Sequence, residues 1–456
     1  MNKKQILANC CLSVVPIAMQ AQTAPPGQPN IIMILVDDLG YGDLSCQGVA
    51  SDIRTSHIDK LLNEGIRFTN FHANCPVSSP SRASLLTGRF PDMVGVPGVI
   101  RTHKEDSWGY LSPEATLLPE MLKQKDYHTA IVGKWHLGLE SPNTPLERGF
   151  DFFHGFLGDM MDDYYNHLRF GNNYMRLNDQ VIDPEGHATE LFTQWSLDYL
   201  GKRKKEKSPF FLYLAYNAPH TPVQPPAEWL DKVRKREPGI SEKRAKLVAL
   251  IEHLDYNIGK VYKALIDNGQ LENTLIIFAS DNGGQADAGA NNKPFRGAKQ
   301  EMYEGGICVP GGIYWKGKIQ STVSDNFVML SDIFPTLCAL TGVTVNHQID
   351  GISVLPLLNG EEQVTDDRLV YWVRREGNLG YGGQAYYASR YKEYKLLQNT
   401  PWEPLQMYNL RNDPTEQSPL DKQNNEMYRK LFRGLMEHIR LSGAVPWQSG
   451  EDVKSQ

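Results

Sequence analysis

The sequence predicts an α/β fold: a large, mostly parallel sheet sandwiched by helices, with a smaller C-terminal antiparallel-sheet subdomain. Two observations carry this. From about residue 30 to about residue 360, short continuous apolar runs alternate with helical patterns, as in a parallel sheet covered by helices. Near Asp366 the style changes to short alternating runs rich in Tyr, as in a small antiparallel sheet. The length, 456 residues, has room for both parts.

In chain order, residues 31–36 (IIMILV) read as a buried strand. Residues 57–64 follow as a helix capped by Ser56. Residues 118–125 are a second short helix and 128–133 a second strand. Residues 189–200 are amphipathic and helical, and 209–216 form a third strand. A long helix over 241–268 is closed by Gly269. Residues 275–280 form a fourth strand and 331–340 another helix. Beyond a boundary near 360–366, residues 369–373, 384–389 and 393–397 are short strands, and a final helix over about 425–441 can pack on them. The chain therefore divides into a catalytic domain at 30–362 and a C-terminal subdomain at 363–456.

The first residues follow a different logic. Lys3 and Lys4 precede a mostly apolar stretch over 6–19, then Ala21-Gln22, then a Pro-rich linker at 22–29. This is the pattern of an export signal at 1–21, with cleavage after Ala21 and a periplasmic or secreted product. The stretch is too short for a membrane span, and no later segment is long and apolar enough for one. A lipid anchor at Cys10 fits less well, because Cys10 lies very early. Lys and Arg total 47 against 53 Asp and Glu, a net charge of -6, which gives no support to nucleic-acid binding. The basic run at 202–207 reads as a solvated loop. Outside the signal, Cys46, Cys75, Cys308 and Cys338 are scattered without a CxxC pair, which argues against zinc.

Sites in open α/β sheets form at the carboxyl ends of the strands. Here those ends read Val36-Asp37-Asp38, Gly133-Lys134-Trp135-His136, Asn217-Ala218-Pro219-His220 and Ser280-Asp281-Asn282. Two adjacent carboxylates after a buried strand repel each other, and a cation is the simplest remedy. Three carboxylates and an amide suit calcium or magnesium. Taken singly, each pair also reads as an ordinary turn. In the segment from Ser78 to Gly88, Pro80 fits a first helical turn and Gly88 a helix end. Ser78 then sits at a helix N-terminus, which favours an anion, with Arg82 one turn on. On its own this reads as a capped helix with an anion site.

Ser78-x-Pro80-Ser81-Arg82 followed by Leu86-Thr87-Gly88 resembles the signature of the type I sulfatases, a branch of the alkaline phosphatase superfamily. Further segments are similar: Asp37-Asp38-Leu39-Gly40-Tyr41-Gly42-Asp43, Gly133-Lys134-Trp135-His136-Leu137-Gly138, Arg148-Gly149-Phe150-Asp151, Pro219-His220-Thr221-Pro222 and Ser280-Asp281-Asn282-Gly283. Lys299, five residues before Glu304-Gly305-Gly306, also matches. The likeness runs from about residue 29 to Pro414.

The resemblance implies a sulfatase whose residue 78 is oxidised to formylglycine. Serine at this position implies a radical-type, oxygen-independent maturation enzyme as a partner. It further implies one calcium held by Asp37, Asp38, Asp281 and Asn282 beside residue 78. Arg82 and Lys134 would stabilise residue 78, with Lys134 also meeting substrate, and His136 would bond its hydroxyl. Lys299 and His220 would contact the sulfate and the leaving oxygen, with His220 as general acid. The implied substrate is a sulfated carbohydrate, with 6-O-sulfated galactose or N-acetylgalactosamine as the leading candidates. Residues 159–169, with Asp162, Asp163, Tyr164, Tyr165, His167 and Arg169, read as a sugar-binding loop at the pocket mouth or as a solvated loop. Two rivals stand beside this reading: a phosphatase or phosphonate hydrolase of the same superfamily, and a non-catalytic glycan-binding protein with unmodified Ser78.

Overall fold

The computed structural model describes residues 28–376, 384–422 and 425–449. The expected export signal, and the linker up to residue 27, lie outside the described residues. Strand β1 (Asn30–Val36) lies inside a ten-stranded sheet. Its side chains alternate between faces. Ile31, Met33 and Leu35 enter one apolar core, and Ile32, Ile34 and Val36 enter another. A strand covered on both faces has no polar side, so the run is continuous.

The remaining elements of this layer are α1 (Ser56–Glu64), β2 (Ile66–Phe68), α2 (Ser78–Thr87), α3 (Leu118–Lys123), β3 (His128–Lys134), β4 (Phe152–Phe156), β5 (Met175–Leu177), β6 (Gln180–Val181), α4 (Ala188–Arg203), β7 (Phe210–Ala215), α5 (Ala227–Arg236), α6 (Glu242–Asp267), β8 (Thr274–Ser280), β9 (Gly311–Trp315), β10 (Thr322–Ser324) and α7 (Ile333–Thr341). Across the sheet the order is β10-β2-β9-β8-β1-β7-β3-β4-β5-β6. Strands β8, β1, β7, β3 and β4 are mutually parallel. Strand β9 runs antiparallel to β8 and β2, and β5 and β6 add an antiparallel edge. Leu86 of α2, Leu122 of α3 and Leu337 of α7 fill one core. Leu62 of α1, Phe192 of α4 and Leu254 of α6 fill the other, so helices sandwich the sheet as expected.

Several elements depart from the local reading. Ser56 does not cap α1: Thr55 is the N-cap, without a side-chain bond, and Ser56 is already helical. Asp255 of α6 takes that role from afar, accepting the N–H of His57 at 3.0 Å and of Ile58 at 2.7 Å. Helix α6 does begin after Ser241, whose hydroxyl accepts from the Arg244 N–H. The helix expected from Ser331 opens instead with a 3-10 turn over Leu330–Asp332. Strands β4 and β9 and helix α5 were not anticipated.

The C-terminal part is a meander of β11 (Val370–Glu376), β12 (Gln384–Tyr391), β13 (Tyr394–Gln398) and β14 (Gln406–Asn409), antiparallel throughout. Helix α8 (Glu426–Ser442) packs Leu431 and Leu435 against Leu396 and Met407. Strand β11 grips the first layer near the rim. Trp372 Nε1 donates to the Ala73 carbonyl at 2.8 Å, Arg374 to the Gln300 carbonyl at 2.9 Å, and the Arg375 N–H to the Pro97 carbonyl at 2.8 Å. Behind this contact, buried Lys395 bridges Glu304 at 2.7 Å and Glu416 at 2.8 Å. Cys46, Cys75, Cys308 and Cys338 are free thiols. Among the described residues no helix is long and apolar enough to cross a membrane.

Candidate active site

Because β8, β1, β7 and β3 lie side by side and parallel, their carboxyl ends form one rim. Asp37 and Asp38 leave β1, Asp281 and Asn282 leave β8, Lys134 ends β3 with His136 just beyond, and His220 follows β7. The rim is tied across strands: the Asp37 N–H donates to the Ala218 carbonyl at 3.1 Å and the Asp281 N–H to the Val36 carbonyl at 3.0 Å.

Ser78 is the first residue of α2, behind extended Val77. Its Oγ donates to Asp37 Oδ1 at 2.9 Å and lies 3.3 Å from Asn282 Oδ1. The free N–H groups of a first helical turn favour negative charge there. Helix α2 ends at Gly88, whose φ of 67° suits glycine.

Three cations answer three carboxylates. Lys134 Nζ lies 2.6 Å from Asp37, Arg82 Nη2 2.7 Å from Asp281, and Lys299 Nζ 2.7 Å from Asp38. Arg82 also donates to the Lys134 carbonyl at 3.3 Å, which joins α2 to β3. Burial raises the Asp37 carboxyl, but Lys134, His220 and Arg82 together hold it well below the usual range. Burial, and then the nearby Asp37, push Asp281 up to about 7. Its partner Arg82 does not offset burial beside a second carboxylate, and a divalent cation among these oxygens would. Ligand atoms of Asp37, Asp38 and His220 lie within 4.8 Å of one another, and the Asn282 amide donates to Asp38 at 2.7 Å. A cluster rich in oxygen donors without thiolates fits a hard cation.

His136 has its Nε2 against the Ile100 carbonyl at 2.9 Å, so Nε2 carries the proton. Its buried Nδ1 has no hydrogen-bond partner among the described residues. Burial, with Lys134 and Arg82 nearby, holds the ring well below the ordinary imidazole pKa, so it is neutral with an open acceptor. No bond between Ser78 and His136 forms as the protein stands, since Ser78 turns to Asp37 and Asn282. His220 Nδ1 lies 2.7 Å from the Thr221 carbonyl and Nε2 3.6 Å from Asp38. Burial and Lys299 lower its pKa, while Asp38 opposes them.

These groups open into a pocket of about 240 Å³ lined by Ser78, His136, His220 and Lys299. Of the loop at 159–169, Asp159, Met160 and Arg169 reach the lining. The two charged residues among them pair through Arg169 Nε at 3.1 Å, while Asp162 holds the same guanidinium at 2.7 Å. Tyr164 and His167 face inward instead, and Tyr165 is exposed. The Tyr164 hydroxyl donates to the carbonyls of His220 at 2.8 Å and Asn217 at 3.1 Å, so it positions the His220 segment from below. Sequence reasoning missed Arg101, Gln285, Gln300, Arg374 and Glu376, which also line the pocket. Glu376, at the end of β11, accepts from Arg101 at 2.6 Å and from Arg374 at 2.9 Å. The available signal was the charged cluster Arg374-Arg375-Glu376 closing an apolar strand.

The sulfatase family pattern matches residues 29–343, and that of the N-sulphoglucosamine sulphohydrolase C-terminal region matches residues 297–441. N-acetylgalactosamine-6-sulfatase of Homo sapiens is 34% identical over 374 residues, covering 76% of this chain and 69% of the relative. Arylsulfatase G of Rattus norvegicus is 31% identical over 503 residues, covering 97% and 91%. The crystal structure of Ps i-CgsB in complex with k-i-k-neocarrahexaose superposes with a TM-score of 0.84 at 30% identity, covering 94% of this chain and 96% of that one. With the sulfatase pattern over more than half of its length, and these relatives covered across most of theirs, the chain belongs to the type I sulfatases of the alkaline phosphatase superfamily, enzymes that hydrolyse sulfuric esters.

Proposed function

We propose that this sulfatase is exported, acts on a sulfated carbohydrate, and works through formylglycine made from Ser78 and through one calcium ion. The observation that carries the reading is Ser78 itself. Its Oγ sits at a helix N-terminus, between Asp37 at 2.9 Å and Asn282 at 3.3 Å. Oxidised and hydrated, residue 78 supplies a second hydroxyl with which to release sulfate, which serine lacks. A radical-type maturation enzyme is the partner that a serine at this position calls for. The N-terminal sequence supports export to the periplasm or beyond.

Calcium would be held by Asp37, Asp38, Asp281 and Asn282 with an oxygen of residue 78, and it supplies positive charge beside the sulfate oxygens. The chain's own charges prepare the site. Asp37, Asp38 and Asp281 are each matched by one protein cation, so a divalent ion leaves the rim positive toward an anionic ester. We assign Arg82 and Lys134 to holding residue 78, His136 Nδ1 to accepting its hydroxyl proton, Lys134 and Lys299 to the sulfate, and His220 to protonating the leaving oxygen. The two acid–arginine pairs at the mouth, Asp159–Arg169 and Glu376–Arg101, suit a ligand rich in hydroxyls. Relatives that act on N-acetylgalactosamine 6-sulfate or bind a carrageenan hexasaccharide support a galactose-type unit, with 6-O-sulfated galactose or N-acetylgalactosamine as first candidates.

The test is sulfate release by protein co-produced with a radical maturation enzyme. The panel holds both 6-sulfated sugars, chondroitin 6-sulfate and carrageenan oligosaccharides, an aryl sulfate and the matching phosphate ester. Turnover of a sulfated carbohydrate is expected. Brisk phosphate release without sulfate release would favour the phosphatase rival. Turnover of the aryl sulfate alone would overturn the carbohydrate reading.

A further inference from the structure

Beside the pocket at Ser78 lies a larger cleft of about 1050 Å³, against about 240 Å³ for the pocket itself. The two share walls. Arg101 lines both, and Ile100 lines the cleft while its carbonyl accepts from the His136 ring at 2.9 Å. The Ile100 N–H donates to Ser79 Oγ at 3.1 Å, which fastens this wall to α2. Bonded to the Ile100 carbonyl, His136 lines the pocket, and Leu137 to Leu139 continue into the cleft. Two adjoining segments, 99–102 and 136–139, therefore each line the pocket and then the cleft.

Tyr174 and Trp447 also line the cleft. Tyr174 is fastened to the same centre, because the Leu157 N–H donates to its carbonyl at 3.2 Å while the Leu157 carbonyl accepts from the His136 N–H at 3.1 Å. Trp447 stacks on Trp108 with ring centres 4.4 Å apart, which ties the C-terminal tail to the wall that carries Arg101. The lining thus sets aromatic rings, Tyr110, Tyr174 and Trp447, among polar groups such as Thr102 and Glu140. Sugars present this mixture in reverse: apolar C–H faces lie on aromatic rings and hydroxyl edges meet polar groups. The pocket at Ser78 is smaller than the roughly 300–1,000 Å³ of sites for drug-sized ligands. It is sized for the sulfated ring, and the cleft begins where that ring's neighbour would lie.

The geometry points to one occupant of this cleft: the substrate's own glycan chain, continuing beyond the sulfated unit. The assignment rests on the carbohydrate-sulfatase reading above. It makes the protein an enzyme of sulfated oligosaccharides and polysaccharides, with affinity drawn from several sugar units.

The experiment compares kcat/KM of the matured enzyme on hexasaccharides of chondroitin 6-sulfate and carrageenan with the sulfated monosaccharide of each. Binding energy from remote units should raise kcat/KM for the hexasaccharide of the accepted glycan by about tenfold or more. Tyr174→Ala, and Thr102→Trp as a cleft-filling change, should each cost the hexasaccharide about tenfold more than the monosaccharide. Equal kcat/KM for the two lengths, or equal losses on both in the two variants, overturns the cleft assignment and leaves the carbohydrate reading standing. Turnover of an aryl sulfate but of no carbohydrate of any length overturns both.

Discussion

Lys134→Ala probes how the rim is balanced. Lys134 Nζ lies 2.6 Å from Asp37 Oδ2, with both side chains fully buried. Without it Asp37 keeps Arg82 at 3.8 Å, and that guanidinium is already engaged with Asp281 at 2.7 Å. Removing one partner of a buried pair typically costs about 3–5 kcal/mol. Protonation sets a ceiling: neutralising a carboxyl of ordinary pKa about 3.9 at pH 7 costs about 4 kcal/mol. The metal-free variant should therefore be about 3–4 kcal/mol less stable than the parent. Calcium should restore more stability to the variant than to the parent, because the ion would replace the missing charge beside Asp37. At a hundredfold excess over Kd, an ion that binds only folded protein contributes about 2.7 kcal/mol. The assay is urea unfolding at pH 7, with a chelator and with calcium, and neither arm requires modification of residue 78. A metal-free loss below about 1 kcal/mol would refute the reasoning about an uncompensated Asp37. The same calcium increment in both proteins would refute the idea that ion and lysine serve one carboxylate.

Three further outcomes are expected. His220→Ala should lose about 10²–10⁴-fold on a sugar sulfate, whose alkoxide leaves poorly, and much less on an activated aryl sulfate; equal losses count against the general-acid role. Tyr164→Phe removes the donor to the His220 and Asn217 carbonyls. It should cost about 1–3 kcal/mol of stability in thermal or urea unfolding, and slow sugar sulfates more than aryl sulfates. Exhaustive chelation, verified by elemental analysis, should abolish turnover and calcium should restore it; full activity of verified metal-free protein would contradict the metal assignment.

The four central strands were legible because burial on both faces makes their middles continuous apolar runs, and their polar ends announced the rim. The start of α6 was legible because its cap, Ser241, is its immediate neighbour. The start of α1 was not, because its capping carboxylate, Asp255, is distant in sequence. In strand β4 the apolar run is interrupted at His154 and Gly155: Gly155 faces Gly133 of β3, where a Cβ would collide with the Gly133 carbonyl, so close approach demands glycine there. Strand β9 opens with two glycines for a similar reason, since a Cβ at Gly311 would strike the Phe71 ring. At the site, Asp37, Asp38, Ser78, Arg82, Lys134, Asp281 and Asn282 could be gathered from strand ends and motifs. Arg101 and Glu376 could not, because their pairing joins a loop of the first layer to a strand of the C-terminal sheet. Tyr164 lies in a segment that reads equally as a mouth loop or a solvated loop, and only its burial beneath His220 shows that it positions the His220 segment.

The central claim is that residue 78 must be formylglycine for turnover, and mass spectrometry of the Ser78 peptide alongside the reaction rate tests it most directly. Protein made with a radical maturation enzyme should carry the aldehyde, a loss of about 2 Da from serine, and should release sulfate over many turnovers. Protein made without that enzyme should retain serine and bind substrate with little or no turnover, and Ser78→Ala should be inactive in any host with the fold intact. Multiple turnover by a sample shown to carry only serine at position 78 would contradict the account.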